Sequence, residues 1–294
     1  MSRSYLLLPF AAAVIFALST LCYKRALKEG ASLSSVFALT NLALSFVFLP
    51  LLVAAPSPIP WDRWFHPATA GALFFLGHLC HFLALRRGDV SVVTPIMGAK
   101  VILVALLAAG LFDARLSPGD WWAAVLAGAG VILMGVSDSR PEGNSTATIL
   151  LALASCLAFA LCDVWIQQWA APFGIWGFVA ILFLTVGCGG LLAMPLFRGQ
   201  PSRLPPATRK WLAAGIGLTA LQALLISTSI GIWRDATGVN VVYGLRGVWG
   251  VALVWWIGHR MGITERREAG TTRMSWRLFS AFLVVLGVVL TALS

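Results

Sequence analysis

The sequence predicts an all-α integral membrane protein: ten transmembrane helices arranged as two inverted five-helix repeats. Three observations carry that expectation. Hydrophobic residues make up 59% of the 294 residues and charged residues only 11%, against roughly a quarter charged in an ordinary soluble domain. The apolar residues fall into ten runs, most of them near the roughly 20 residues a helix needs to cross a bilayer. Each run is continuous rather than alternating with period two, which favours helices over a barrel.

The runs lie at roughly 5–23, 33–55, 68–86, 90–112, 121–137, 147–170, 174–197, 211–232, 238–258 and 276–293. The first ends before Lys24, Arg25 and Lys28. It reads as a span rather than a cleavable leader, because no small-residue cleavage site precedes a polar domain. Proline, glycine or charge fills most gaps: 24–30, 55–67, 86–89, 113–120 and 138–146. The two widest linkers are 198–210 and 259–274, and neither is long enough to be a soluble domain.

Weak internal likenesses recur in one order. Phe16-Ala17-Leu18 of the first run matches Phe159-Ala160-Leu161 of the sixth. Val90, Val92, Val93 and Gly98 of the fourth match Val239, Val241, Val242 and Gly247 of the ninth. Gly130-Val131-Ile132-Leu133 of the fifth matches Gly287-Val288-Val289-Leu290 of the tenth. Residues 1–140 and 141–294 are therefore the expected repeats. Five is odd, so the second copy enters the membrane from the opposite side, a recurring transporter plan with its substrate near the midplane between the halves.

Loop charge sets the expected orientation. Arg3, Arg63, Arg115 and Arg234 lie on the side of the termini. Lys24, Arg25, Lys28, Arg86, Arg87, Arg140, Arg198, Arg203, Arg209, Lys210, Arg260, Arg266, Arg267, Arg273 and Arg277 lie on the other. Basic loops stay in the cytoplasm, so both termini are expected on the extracytoplasmic face, in a bacterial plasma (inner) membrane. The net charge of +10 belongs to these short loops, which have no interleaved aromatic surface, and no nucleic acid partner is expected.

Few ionisable groups fall well inside runs: Lys100, Asp163 and Arg246, with His78 and His81 as weaker cases. A Lys, Arg or Asp at a helix centre costs about 2.5–3.5 kcal/mol on insertion scales and is a functional candidate by default. Arg246 aligns with Met97, one turn from Lys100 on the same helical face. Two cations, one per half, then look toward the pseudo-twofold axis, a site for a carboxylate or phosphate. Arg246 can grip it with paired hydrogen bonds and Lys100 with a point charge. The competing reading is a structural ion pair with Asp163. Asp163 is either a fixed counter-ion or, if desolvated, a carrier of a coupling proton; His78 and His81 are the other coupling candidates. Thr94, Tyr243, Trp249 and Gln222 complete the expected lining. Pro95 and its repeat partner Gly244 are the expected helix bends.

Neither a metal site nor a cofactor is expected. The cysteines behave as small apolar residues, and His78-Leu79-Cys80-His81 has no acidic residue beside it. The expected partners are a small-molecule solute and the lipid bilayer, and the sequence admits a homodimer. A membrane enzyme acting on lipid needs a nucleophile, an acid/base pair or a metal cluster within mutual reach, and no extended motif supplies one. A non-transporting scaffold is the remaining alternative.

With these features the chain resembles the drug/metabolite transporter superfamily, EamA type. The resemblance rests on the ten runs and on Gly88-Asp89-Val90-Ser91-Val92-Val93-Thr94-Pro95-Ile96. It also rests on the turn Asp113-Ala114-Arg115-Leu116-Ser117 and on the glycine-rich close of the fifth run, Gly130 to Ser137. It covers nearly all of residues 5–294. The second run carries Asn41 where many relatives carry arginine, and the turn after the fourth begins Phe112-Asp113 where Gly-Glu is usual. The resemblance implies solute movement by alternating access, often export of amino acids or related metabolites, and in some branches exchange of phosphorylated compounds or nucleotide sugars. No phosphate-loop motif for ATP is present.

Overall fold

The computed structural model describes residues 4–55, 58–87, 93, 96–137, 146–196, 204–253, 256–257 and 271–293. All regular structure among them is helical. The helices are α1 (Leu7–Lys28), α2 (Leu33–Phe48), α3 (Phe65–Arg87), α4 (Lys100–Phe112), α5 (Pro118–Ser137), α6 (Thr146–Trp169), α7 (Gly174–Ala193), α8 (Pro206–Trp233), α9 (Ala236–Tyr243), α10 (Arg246–Leu253) and α11 (Thr271–Leu293). Six segments are long and apolar enough to cross a membrane: Ser4–Lys28, Leu33–Leu52, Phe65–Arg87, Thr146–Trp169, Ala171–Ala193 and Pro206–Trp233. Ile96–Phe112, Pro118–Met134 and Leu278–Leu293 are apolar but shorter. The described part of the ninth run is interrupted at Gly244 and Leu245, between α9 and α10.

Local chemistry explains where these helices begin and end. The Ser32 side chain caps α2 by accepting from the Ser35 amide at 3.0 Å. At α5, Ser117 Oγ accepts from the Asp120 amide at 3.1 Å while Asp120 Oδ2 accepts from the Ser117 amide at 3.0 Å, a reciprocal capping box. Helices α5 and α8 start earlier than their apolar runs, at Pro118 and Pro206. Proline at the first helical position loses no hydrogen bond and already holds a helical φ, so hydropathy alone misses that turn. Asp113 and Arg234 end α4 and α8 in the left-handed region, at φ 50° and 53°.

The helices pack as long neighbours. α1 runs along α8, α3 along α6, α2 along α7, and α5 along α11; α3 also leans on α7, and α10 on α1. Small residues permit the closest approaches. A Cβ on Gly71 of α3 would stand 2.3 Å from the Leu182 carbonyl oxygen of α7. Cβ atoms on Gly130 and Gly287 would meet the carbonyl oxygens of Ser280 and Ala123 at 2.7 and 2.8 Å, so α5 and α11 cross nearly backbone to backbone. Phe173, Phe178, Phe183, Leu44, Leu182 and Ile230 fill the interior. Phe46, Leu192, Leu278, Phe282 and Leu293 point outward, an apolar surface suited to acyl chains rather than water.

The two ends of the bundle differ. At the α1–α2 turn, Ala26, Ala31, Leu204 and Leu212 form an apolar cluster with Tyr23 and Trp211 packed on it. Nearby, the Tyr23 hydroxyl pairs with Thr219 Oγ1 at 3.0 Å and accepts from Thr40 at 3.3 Å, tying α1, α8 and α2 together. At the other end a cavity of about 430 Å³ opens between α4, α5, α6 and the α8–α9 junction.

Candidate solute site

Lys100 opens α4 and is 8% exposed. Its Nζ lies 2.7 Å from Asp163 Oδ2 on α6. The same carboxylate oxygen accepts a hydrogen bond from Asn240 Nδ2 of α9 at 2.8 Å, and that amide also donates to the Ala236 carbonyl at 2.9 Å. One turn further along both helices, Gln167 Oε1 accepts from the Ala236 amide at 2.8 Å. Residues four apart share a helix face, so α6 and α9 are joined by two polar rungs with the ion pair at the deeper one. Lys100 also sits 5.8 Å from the centre of the Phe159 ring. A buried lysine is tolerated here because its charge is paired and the paired oxygen also accepts from Asn240.

Arg246 is in a different condition. The interruption falls at Gly244 and Leu245, and Arg246 opens α10 directly after it. The backbone tightens rather than opens, with Gly244 N bonding to Asn240 O at 2.9 Å and Leu245 N to Val242 O at 3.1 Å. The guanidinium carbon stands 4.4 Å from the Tyr243 ring centre and 5.7 Å from that of Phe16 on α1. Tyr243 and Phe16 meet edge to face at 5.9 Å. Among the described residues Arg246 has no ion pair, and its Nη1 is buried without a hydrogen-bond partner. Two aromatic faces stabilise the cation by about 0.5–2 kcal/mol each and leave its N–H edges free to donate.

Of the two expected readings, two cations for one anion or an ion pair with Asp163, the contact between Lys100 and Asp163 is the second for that cation. Lys100 is compensated by Asp163, while Arg246 keeps its charge. Both lie within electrostatic reach of the buried Cys156 thiol on α6, and His81 on α3 lies within reach of Arg246. His81 Nδ1 is buried with no hydrogen-bond partner. His78 instead faces Asn41, Nδ1 to Oδ1 at 3.1 Å, among Phe37, Phe74 and Phe159. Trp249 of α10 meets Phe10 edge to face at 5.9 Å, and Gln222 is half-buried on α8. Thr94 and Pro95 lie outside the described residues. Asn240, Phe16 and Cys156 were not legible as partners, because an asparagine, a phenylalanine or a cysteine in an apolar run is ordinary. Among the described residues no group of three or more His, Cys, Asp or Glu side chains is placed to hold a metal ion.

Residues 3–136 match the model of the EamA-like transporter family. Over those residues the chain is similar to the EamA-like transporters. A protein of Archaeoglobus fulgidus described as an uncharacterized transporter is 25% identical over 185 residues, 62% of this chain and 66% of that protein. A solved crystal structure aligns with 100% of this chain and 99% of its own at a TM-score of 0.76 and 20% identity, a likeness of fold alone. The likeness to EamA-like transporters agrees with a multi-pass helical chain in the bilayer.

Proposed function

We propose that the protein is a secondary transporter, an exporter or exchanger, that moves a small anionic or zwitterionic metabolite such as an amino acid by alternating access. The observation that carries this reading is Arg246. An arginine at mid-run with no counter-ion among the described residues and a buried Nη1 unpartnered by them is expensive to keep in a membrane protein. A visiting carboxylate supplies the missing acceptor and charge. The compensated Lys100–Asp163 pair beside it gives the site a second state: a proton on Asp163, or a solute carboxylate, frees Lys100 from its present partner.

The packing favours an arrangement as two inverted repeats, 1–140 and 141–294. Exchanging the first five runs for the second five turns the α1–α8 contact into the α6–α3 contact, and both are long. The α2–α7 and α5–α11 contacts map onto themselves, as pairs lying across a pseudo-twofold axis should. In this reading the cavity end of the bundle faces out of a bacterial cytoplasm and the basic loops face in.

The test is counterflow in proteoliposomes of the full chain. Vesicles are loaded with a mixture of unlabelled amino acids and dicarboxylates, and uptake of each labelled compound is followed. The proposal expects uptake above protein-free vesicles for at least one carboxylate-bearing solute. It also expects competition by other carboxylates and none by the corresponding amides. Absence of exchange for every carboxylate, with folded protein in the vesicles, contradicts it and leaves the scaffold reading.

A further inference from the structure

The cavity at the α4–α6 and α8–α9 end is lined by Gln167, Thr237, Arg115 and Arg234, none of which belongs to the solute site proposed around Arg246. At about 430 Å³ it has room for a dozen or so waters at about 30 Å³ each, or for one small organic acid. Its acidic groups are already engaged. Asp235 Oδ1 accepts from the Gly238 amide at 2.8 Å and its Oδ2 accepts from the Tyr5 hydroxyl. Asp120 Oδ2 accepts from both the amide and the hydroxyl of Ser117, at 3.0 and 2.9 Å. The donors are not so engaged.

Gln167 is 8% exposed and lines this cavity. Its Oε1 must be the atom facing the Ala236 amide, because a backbone N–H can only donate. That fixes the amide plane and turns Nε2 away from α9, and Nε2 makes no hydrogen bond to the described residues. Thr237, 2% exposed, lines the same wall, and its Oγ1 has no partner either. Arg115 and Arg234 stand exposed at the rim, and among the described residues Arg234 reaches only Gln168 Oε1, at 3.4 Å. Two guanidinium groups above a pre-oriented amide donor, with the nearby carboxylates occupied, select an acceptor-rich anion.

We propose that this cavity is a vestibular binding site for the carboxylate of a small organic acid or amino acid, with Gln167 Nε2 at its floor and Arg115 and Arg234 at its mouth. Gln167 lies four residues, about 6 Å along the helix, beyond Asp163. A bound carboxylate therefore waits one turn from the Lys100–Asp163 pair. The site goes beyond the transport reading, since binding here is seen without flux.

The experiment is equilibrium binding of labelled L-glutamate and labelled succinate to the full-length protein in nanodiscs. Four proteins are compared: wild type, Arg246→Met, Gln167→Glu and Arg234→Gln. Gln167→Glu keeps the oxygen that holds Ala236 and replaces the donor by a negative oxygen. Saturable binding of at least one probe is expected in wild type and in Arg246→Met. It should weaken by about tenfold or more in Gln167→Glu and severalfold in Arg234→Gln. Should Gln167→Glu not fold, the exposed Arg234→Gln substitution decides alone. Three results overturn the proposal: no saturable binding of either probe, binding unchanged in Gln167→Glu and Arg234→Gln, or binding abolished by Arg246→Met. Loss of flux in Arg246→Met with this binding intact speaks against neither site.

Discussion

Lys100 and Asp163 show what a single residue can and cannot disclose from sequence. Each was legible as a charge where charge is costly, but their 2.7 Å contact was one of two open readings. The choice depends on helix packing that brings α4 against α6, which no local pattern encodes. Asn240, which donates to the same carboxylate oxygen, carries no sequence signal at all. Removing one member of a buried pair strands the other charge. Lys100→Met or Asp163→Leu alone should therefore destabilise the protein by about 3–5 kcal/mol, and the double substitution Lys100→Met with Asp163→Leu should recover most of that loss. Unfolding in detergent, followed by helical signal, checks this. Additive losses in the double variant would mean that the two groups do not depend on each other.

At the scale of the helix, composition predicted existence well and boundaries less well. The described parts of the runs are helical over most of their length, but the ninth is divided between α9 and α10, and proline starts at Pro118 and Pro206 and the short turn Leu49–Leu52 moved the ends. The interruption after Tyr243 was anticipated only as a softening at Gly244. What the run could not reveal is that Arg246 begins a new helix there, against Phe16 of α1. Glycines inside these helices divide by what a methyl group would meet. Gly71→Ala forces the methyl group onto the Leu182 carbonyl, 2.3 Å away, and should cost about 1–3 kcal/mol. Gly110→Ala meets nothing within 4 Å and should be neutral or stabilising by up to about 1 kcal/mol. Thermal unfolding of the two variants side by side reads the difference. Equal effects would place the α3–α7 contact elsewhere.

For the whole molecule, the weak likenesses between 1–140 and 141–294 suggested which runs are related, but which helices pack together was not legible, because packing partners lie far apart in the chain. The cavity was not anticipated, since Arg115, Gln167 and Arg234 come from three separate segments. Orientation is open to a direct check. In a background with its cysteines replaced, Asp62→Cys should react with a membrane-impermeant maleimide added to intact cells, and Lys28→Cys should not. The reverse pattern would invert the topology. The account turns most on Arg246 as the cation that meets the travelling solute. Exchange flux in proteoliposomes should fall by about a hundredfold or more in Arg246→Met, an interaction of roughly 3 kcal/mol, and return in part in Arg246→Lys. Wild-type flux in a folded Arg246→Met protein would contradict it.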